Sequence, residues 1–434
     1  MKTKQLAFLV LAIAGFLTGC KDTFIEKRTY TANVPEYMSY DEMRQPVKSS
    51  AATEVEVQGK IYIKDNYLYV NEKYKGIHVF DNSDPANPLN VTTIWIPGNV
   101  DLAIIGNYLY ADSYVDLVVI DISDMESPRE VARIKDIFPY TIPELNSENS
   151  SYPIASIDQS KGVITGWKVQ SITEEIEDYS HPVYFYDFAL NSFAKTETNA
   201  ISGGGGGSFT STQTIGVGGS LARFIINNGQ FYGLNQTDMQ VIDIASPENP
   251  VVGKKIALQR VAETVFIEGI YLFIGTQTGM LVYDISVPSN PTYVSEYNHF
   301  QSCDPVVVQD GYAYVTERAG NRCGNWQNLM EVIDIHVITS PQLVKSYAMT
   351  EPWGLGIDNN KLFICDGSAG LKIYDATDRL RIDEHLLKTF TDVTAHDVIP
   401  MGNVLILLAA DGIYQYDYSN LNNITLISKI PIGG

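Results

Sequence analysis

Seven chemically capable side chains stand where the first apolar run of successive sequence units begins. They are Asp101, Arg223, Glu263, Asp304, Trp353, His396 and Asp397. Gathered at one mouth of a central channel, they would form a polar pocket for a small ligand. His396 and Asp397 come nearest to an acid–base pair, but neighbouring strand residues point to opposite faces. The alternative is a solvated rim around a water-filled channel, because exposure is the ordinary state of charged side chains.

Stronger catalytic signals are absent from the sequence. It contains no HExxH, CxxC or GxSxG motif, and its six histidines lack the spacing of metal ligands. The five glycines at 203–207 lack the lysine and the following helix of a phosphate-binding loop, so they predict a flexible or tightly turning insertion. We therefore predict no metal and no cofactor. The sequence favours a protein that is not an enzyme, without deciding the question.

The candidate side chains are positioned by a repeated unit. Each unit has an apolar run that ends in an aspartate, followed by a turn rich in Ser, Asp, Asn and Pro, as in DLVVIDISDMESP at 116–128. The eight aspartates are Asp81, Asp121, Asp187, Asp243, Asp284, Asp334, Asp375 and Asp417. A carboxylate in this position accepts hydrogen bonds from backbone N–H groups two residues on, so we assign the aspartates to turn structure.

Each unit contains four short strands in about 40 residues, which predicts one blade of a β-propeller. The predicted fold is all-β, a propeller of four-stranded antiparallel blades that occupies residues 58–434. Eight units favour eight blades. Seven remain open if the third unit, which carries insertions, is an irregular excursion.

The amino-acid sequences of the units resemble those of a known family. LVVID at 117–121 and MQVID at 239–243, each followed by a turn with proline, are similar to the LVIVD-repeat family of predicted β-propellers, often found on bacterial lipoproteins. The resemblance covers residues 59–433. It implies a fold and a location but no agreed chemistry.

The N-terminus predicts export. Lys2 and Lys4 precede an apolar stretch too short to span a bilayer, so residues 1–19 are predicted to be a signal peptide. The segment ends in Leu-Thr-Gly-Cys, which matches the lipobox of bacterial lipoproteins and implies lipidation of Cys20. We predict that residues 20–57 are a tether, with a short helix from Tyr40 to Arg44.

The charge balance limits the choice of partners. The chain has 51 acidic and 30 basic residues, a net charge of −21. This charge repels nucleic acid and anionic lipid, so we predict no nucleic-acid partner and membrane contact through the lipid anchor only. We expect a monomer.

Export to an oxidising compartment would favour a disulfide between two of the cysteines. In a four-stranded blade, Cys303 and Cys323 would lie on one face of the disc, so a disulfide between them is predicted; the alternative is two unlinked small residues. Cys365, inside a predicted strand, reads as a buried and inert thiol.

Two hypotheses follow. The favoured one is a lipid-anchored envelope propeller at the outer membrane that binds a protein or glycan partner, with contact loops at 173–182, 201–219 and 318–328. The alternative is a hydrolase or lyase that acts on a sugar or lactone at the channel mouth, which rests on analogy between folds.

Overall fold

The structure is a computed structural model that describes residues 26–145, 149–176, 216–298, 305–319 and 327–433. The chain divides into two compact units. One comprises Met1–Tyr40 and Ile142–Asn191, and the other comprises Asp41–Thr141 and Ser192–Gly434. Within the described ranges, no helix is both long and apolar enough to cross a membrane.

The elements before the blades are strand β1 (Glu26–Met38), helix α1 (Tyr40–Met43) and strand β2 (Lys48–Ala51). The helix is the one predicted from the sequence and ends one residue earlier. Blade 1 contains β3 (Ile61–Lys64), β4 (Tyr67–Glu72), β5 (Gly76–Asp81) and β6 (Leu89–Trp95). Blade 2 contains β7 (Leu102–Ile105), β8 (Tyr108–Ser113), β9 (Asp116–Asp121) and β10 (Arg129–Ile134). Strands β11 (Val163–Ile176) and β12 (Val217–Gly218) precede blade 3.

The remaining blades follow in order. Blade 3 contains β13 (Phe224–Asn227), β14 (Gln230–Leu234), β15 (Asp238–Asp243) and β16 (Val251–Ala257). Blade 4 contains β17 (Ala262–Glu268), β18 (Tyr271–Thr276), β19 (Gly279–Asp284) and β20 (Thr292–Asn298). Blade 5 contains β21 (Val306–Gln309), β22 (Tyr312–Glu317), β23 (Leu329–Asp334) and β24 (Gln342–Ala348). Blade 6 contains β25 (Leu355–Asp358), β26 (Lys361–Cys365), β27 (Leu371–Asp375) and β28 (Leu386–Phe390). Blade 7 contains β29 (Ala395–Met401), β30 (Val404–Ala409), β31 (Gly412–Asp417) and β32 (Thr425–Pro431).

The prediction of a propeller with four-stranded antiparallel blades is confirmed. The four strands of each blade pair in chain order, and the described residues form seven blade sheets, of which that of blade 1 has two additional strands. In every blade the second and third strands supply most of the buried apolar side chains, because both of their faces lie against neighbouring blades.

The preference for eight blades was wrong, and the structure has the seven that the sequence left open. Strand β13 of blade 3 packs directly against β7 of blade 2, which leaves no place between them for the third sequence unit. That unit supplies β11, which pairs with β1 over 13 residue pairs in a separate two-stranded sheet. The long partner strand satisfies the backbone of β11, so no blade forms there.

The turn assignment of the aspartates holds in all seven blades. Each carboxylate accepts a hydrogen bond at 2.7–2.9 Å from the backbone N–H two residues on. The donors are Ser83, Ser123, Ala245, Ser286, His336, Thr377 and Ser419. The eighth aspartate, Asp187, lies outside the described residues.

The ring closes between blades 7 and 1 through side chains and one backbone contact. The amides of Asn82 and Gln415 donate to each other at 2.9 and 2.7 Å, and both side chains are buried. Gly433 N donates to Val55 O at 3.0 Å. An apolar cluster that combines residues of both blades fills the interface behind these bonds.

The segment before blade 1 lies on the outer strands of blades 1 and 2. Strand β2 pairs antiparallel with β6, so blade 1 gains an additional outer strand. Arg44 Nε and Nη2 both donate to the buried carboxylate of Asp116 at 2.9 Å. These contacts fasten residues 44–51 to the propeller.

Candidate functional site

Six of the seven predicted site residues divide into three groups, and the seventh, Glu263, bonds within its own blade. Asp101, Arg223 and Asp397 take part in hydrogen bonds that hold a segment of the chain at the centre of the ring. Trp353 and His396 form an aromatic pair. Asp304 lies outside the described residues, as do Cys20, Cys303 and Cys323, so the lipidation and the disulfide stay predictions.

A short segment, residues 216–223, occupies the centre of the ring; we call it the plug. Its strand β12 pairs with β3 and is the innermost strand of the blade 1 sheet. Further hydrogen bonds reach blades 2, 1, 6 and 4. They are Gly216 N to Ile104 O (2.9 Å), Gly219 N to Ile61 O (3.2 Å), Leu355 N to Ser220 Oγ (2.9 Å) and Val265 N to Ala222 O (2.9 Å). A segment bonded to blades on several sides of the ring must cross its axis.

Asp101 anchors the C-terminal end of the plug. Its buried Oδ2 accepts a hydrogen bond from Arg223 N at 2.7 Å and forms an ion pair with Lys60. Its Oδ1 accepts from Leu102 N at 2.8 Å. Burial lowers the pKa of Lys60, and the neighbouring Asp101 opposes that shift. The carboxylate is thus committed to holding the fold.

Asp112 supports Asp101 from the second strand of the same blade. Its Oδ1 accepts hydrogen bonds from Val100 N (2.8 Å), Asp101 N (2.9 Å) and Asn99 Nδ2 (2.8 Å). Burial raises the pKa of Asp112 to about 6, although Arg223 and these hydrogen bonds oppose the shift. The sequence did not single out Asp112 because it lies in a strand interior.

Asp397 anchors the plug from blade 7. Its Oδ1 accepts hydrogen bonds from Ser220 Oγ (3.0 Å), Ser220 N (3.2 Å) and Val398 N (3.0 Å). Its buried Oδ2 has no hydrogen-bond partner within the described residues. Burial raises the pKa of Asp397 to about 6, against the lowering effects of Ser220, Val398 and Lys60.

Two glycines make this close approach feasible. A Cβ added to Gly219 would stand 1.8 Å from Asp397 Oδ2, and one added to Gly354 would stand 2.3 Å from Oδ1. Both positions therefore require glycine while the carboxylate stays in place.

The rings of Trp353, just before β25, and His396, at the start of β29, lie against each other. Their ring centroids are 4.7 Å apart, and the guanidinium of Arg318 lies 3.4 Å from the Trp353 ring centroid. Gln58 Nε2 lies 2.7 Å from His396 Nδ1, so the amide can donate to an unprotonated Nδ1. Burial lowers the pKa of His396, which favours the neutral ring. Two buried atoms beside the pair, Trp353 Nε1 and Gln58 Oε1, have no hydrogen-bond partner within the described residues.

Glu263 is held within its own blade, where Gln277 Nε2 donates to its carboxylate at 3.1 Å. Sequence reasoning missed Lys60, Ser220 and Gln58. Lys60 and Gln58 directly precede the first strand of blade 1, so the rule that selected the other residues could have found them. Ser220 offered no signal, because its role depends on where the plug crosses the ring.

We also considered metal ligands and reactive thiols among the described residues. In the ranges covered by the structure, no group of three or more His, Cys, Asp or Glu side chains is arranged to hold a metal ion. Cys365 is fully buried, and burial raises the pKa of its thiol, as expected for an unreactive cysteine.

Comparison with protein families matches the LVIVD repeat at residues 58–94, 98–136 and 259–299. The chain carries LVIVD repeats. These matches coincide with blades 1, 2 and 4, so each LVIVD repeat forms one blade. No curated protein matches the sequence significantly.

Several solved structures are similar at very low identity. The periplasmic gluconolactonase PpgL of Pseudomonas aeruginosa is 8% identical, with 89% of this chain and 96% of that chain covered and a TM-score of 0.50. BamB from Moraxella catarrhalis is 9% identical, with 89% and 92% covered and a TM-score of 0.44. The computationally designed protein Ika8 is 10% identical, with 87% and 89% covered and a TM-score of 0.49. Such likeness shows the fold alone.

Proposed function

We propose that this protein is an interaction scaffold of the bacterial cell envelope, anchored by a lipidated Cys20, that binds a protein partner through the outside of its ring. The scaffold uses its blades as a rigid frame and carries out no reaction at its centre.

The plug is the observation that supports this proposal. Propeller sites in a central channel need open space there, but residues 216–223 fill the centre. The two carboxylates that the sequence places at the channel mouth, Asp101 and Asp397, accept hydrogen bonds from the plug. A catalytic acid or base must reach a proton of its substrate, and these buried groups face the protein's own backbone.

The anchor follows from the sequence of the N-terminus. A lipid attached at Cys20 would hold the protein at a membrane without a transmembrane helix, and several acyl chains give stable attachment. A net charge of −21 keeps the surface of the domain away from anionic lipid, so the ring would face outward toward other envelope proteins.

The test uses the full chain in its native cells, with wild type, C20A and H396A compared. We expect wild type in the membrane fraction with a stoichiometric partner after crosslinking, and C20A released into the soluble fraction. H396A should retain the partner. Recovery of the wild-type chain without any partner, together with turnover of a sugar or lactone that H396A abolishes, would overturn the proposal.

A second candidate is a small-ligand enzyme at Trp353 and His396. The buried Trp353 Nε1 and Gln58 Oε1 favour it, because one donor and one acceptor without partners can be satisfied by a polar ligand. It would be a hydrolase or lyase on a sugar or lactone. Its test is a panel of glycans and lactones assayed with wild type and H396A, in which equal rates would reject it.

A further inference from the structure

One position of the outer strand differs systematically among the blades. It is the residue that pairs with the one before the turn aspartate, and we call it the rim position. In blades 1 to 7 it is Asn90, Glu130, Val252, Tyr293, Leu343, Leu386 and Leu426. The first two are polar. The other five are apolar and exposed, by 43% at the least.

The polar pair is covered by the chain itself. Asn90 Nδ2 donates to Thr53 O at 2.7 Å, and Glu130 Oε2 accepts from Val47 N at 2.9 Å. Between these contacts, β2 pairs with β6 along the outer edge of blade 1. The molecule therefore shows what the outer edge of one of its blades binds, an extended antiparallel strand whose backbone meets the rim position.

A second difference lies in the aspartate turn. Three residues after the turn aspartate, blades 1 and 2 have Asp84 and Asp124. Each carboxylate accepts a hydrogen bond from the N–H two residues on, at 3.1 and 3.0 Å. Asp378 of blade 6 and Asn420 of blade 7 do the same, both at 3.1 Å.

Blades 4 and 5 have valine at this position instead. The turn is unchanged, because Asn290 N still donates to Val287 O and Ser340 N to Val337 O, both at 2.8 Å. Val287 is 56% exposed and Val337 is 62% exposed. These blades give up a turn-capping side chain and present an apolar one to solvent, which is unfavourable unless another surface covers it.

The two differences coincide in blades 4 and 5, whereas blade 6 shares only the apolar rim position. The turn and the rim position lie at the same end of the outer strand, and blades 4, 5 and 6 are consecutive in the ring. We call the exposed apolar side chains at this end of the three neighbouring outer strands the rim patch. It consists of Val287, Tyr293, Val337, Leu343, Leu380 and Leu386.

We propose that the outer edge of blade 4 or blade 5 binds an extended segment of another protein, which adds as a strand and places apolar side chains on the rim patch. This inference rests on the proposed scaffold function. The pairing in blade 1 supplies the geometry. The residues equivalent to 92–95, which pair with β2, are 295–298 in blade 4 and 345–348 in blade 5.

The net charge of the chain disfavours a second copy of the chain or a lipid surface as the partner of the rim patch. A net charge of −21 makes a second copy of the chain and an anionic lipid surface repulsive partners. In the described residues, β20 and β24 are the outermost strands of their sheets, so their edges offer backbone donors and acceptors.

The test introduces the chain's own polar counterparts. A triple variant, V287D/V337D/L343N, gives blades 4 and 5 the residues that blades 1 and 2 use, and V252N/L426N makes the same kind of change outside the rim patch. Both are expressed as full chains in native cells, with a photoreactive residue at position 293. Thermal unfolding shows that each variant is folded. Amide hydrogen exchange is measured on the purified crosslinked complex.

We expect a protein adduct whose yield falls at least tenfold in the triple variant and is unchanged in V252N/L426N. Amides at 295–298 or 345–348 should exchange at least tenfold more slowly in the complex. An adduct of equal yield in the triple variant, or an adduct with a second copy or with lipid, would overturn this inference and leave the scaffold function standing. No protein adduct at position 293 or with a general crosslinker would overturn both.

Discussion

At the scale of single residues, two buried carboxyls determine how the ring responds to pH. Burial raises the pKa of both Asp112 and Asp397 to about 6. The folded state therefore binds protons more tightly than the unfolded chain, whose carboxyls titrate near pH 4. The resulting stability is fully present below about pH 4 and is lost as the pH rises through 6.

We predict that D397N removes this dependence for one of the two groups. Relative to wild type, its free energy of unfolding should increase by roughly 2 kcal/mol between pH 4 and pH 8, because only the wild type has to bury a charge at high pH. Urea unfolding at the two pH values measures the difference. D392N, which alters an exposed carboxyl, is the control. Parallel stability curves for D397N and wild type would show that folding does not raise the pKa of Asp397.

The turn aspartates act in the opposite direction. Hydrogen bonds from Thr377 lower the pKa of Asp375, so its contribution to stability is present above about pH 4 and is lost as the pH falls through the lowered pKa. We predict that D375A costs about 1 kcal/mol at pH 7 and progressively less as the pH falls through the lowered pKa of Asp375. Chemical unfolding of D375A beside D392A tests this, and equal losses in the two variants would contradict the turn role.

At the scale of elements, a buried ion pair helps the pairing of β2 with β6 to hold the segment before blade 1. We predict that R44A destabilises the protein by about 2–4 kcal/mol, because it leaves the buried Asp116 carboxylate with a long contact to Arg133 at 3.4 Å and one hydrogen bond from Asp136 N at 2.9 Å. Hydrogen exchange should increase at residues 41–51. R129A removes an exposed arginine 3.3 Å from Asp121 and should cost less than 1 kcal/mol. Similar losses in R44A and R129A would mean that the segment is held by other contacts.

The repeat could be predicted from the sequence because each blade carries a local motif, a strand that ends in aspartate followed by a turn that mostly contains proline. Strand β11 led to a predicted eighth blade because its alternating polar and apolar residues do not distinguish a blade strand from any other strand. Its partner β1 lies about 130 residues away in the chain, and no sequence motif links the two. For a similar reason the sequence could not show which of the candidate side chains the plug contacts. Position in the repeat predicted which end of the blades Asp101 and Asp397 occupy, but not that the plug would cover them.

At the scale of the whole molecule, the ring is continuous without any strand exchanged between its ends. The four blade strands follow one another along the chain in every blade, although blade 1 also carries the added strands β2 and β12. Blades 7 and 1 meet through side chains and the contact of Gly433 with Val55. The buried amide pair of Asn82 and Gln415 is therefore a direct measure of closure.

We predict that N82A and Q415A each destabilise the protein by about 1–3 kcal/mol, because each leaves a buried amide without its partner. The double variant should cost less than the sum of the two, with a coupling energy of at least about 1 kcal/mol. Equilibrium unfolding of the four proteins provides the cycle. Additive losses would mean that the ring closes without this pair.

The plug also constrains the order of events during synthesis. Ser220 bonds to Leu355 and Asp397, which follow it by 135 and 177 residues. Closing loops of that length is slow compared with forming a hairpin, and the distant partners leave the ribosome last. Early blades can therefore assemble while residues 216–223 are still unseated, and the seating of the plug marks the completion of the fold.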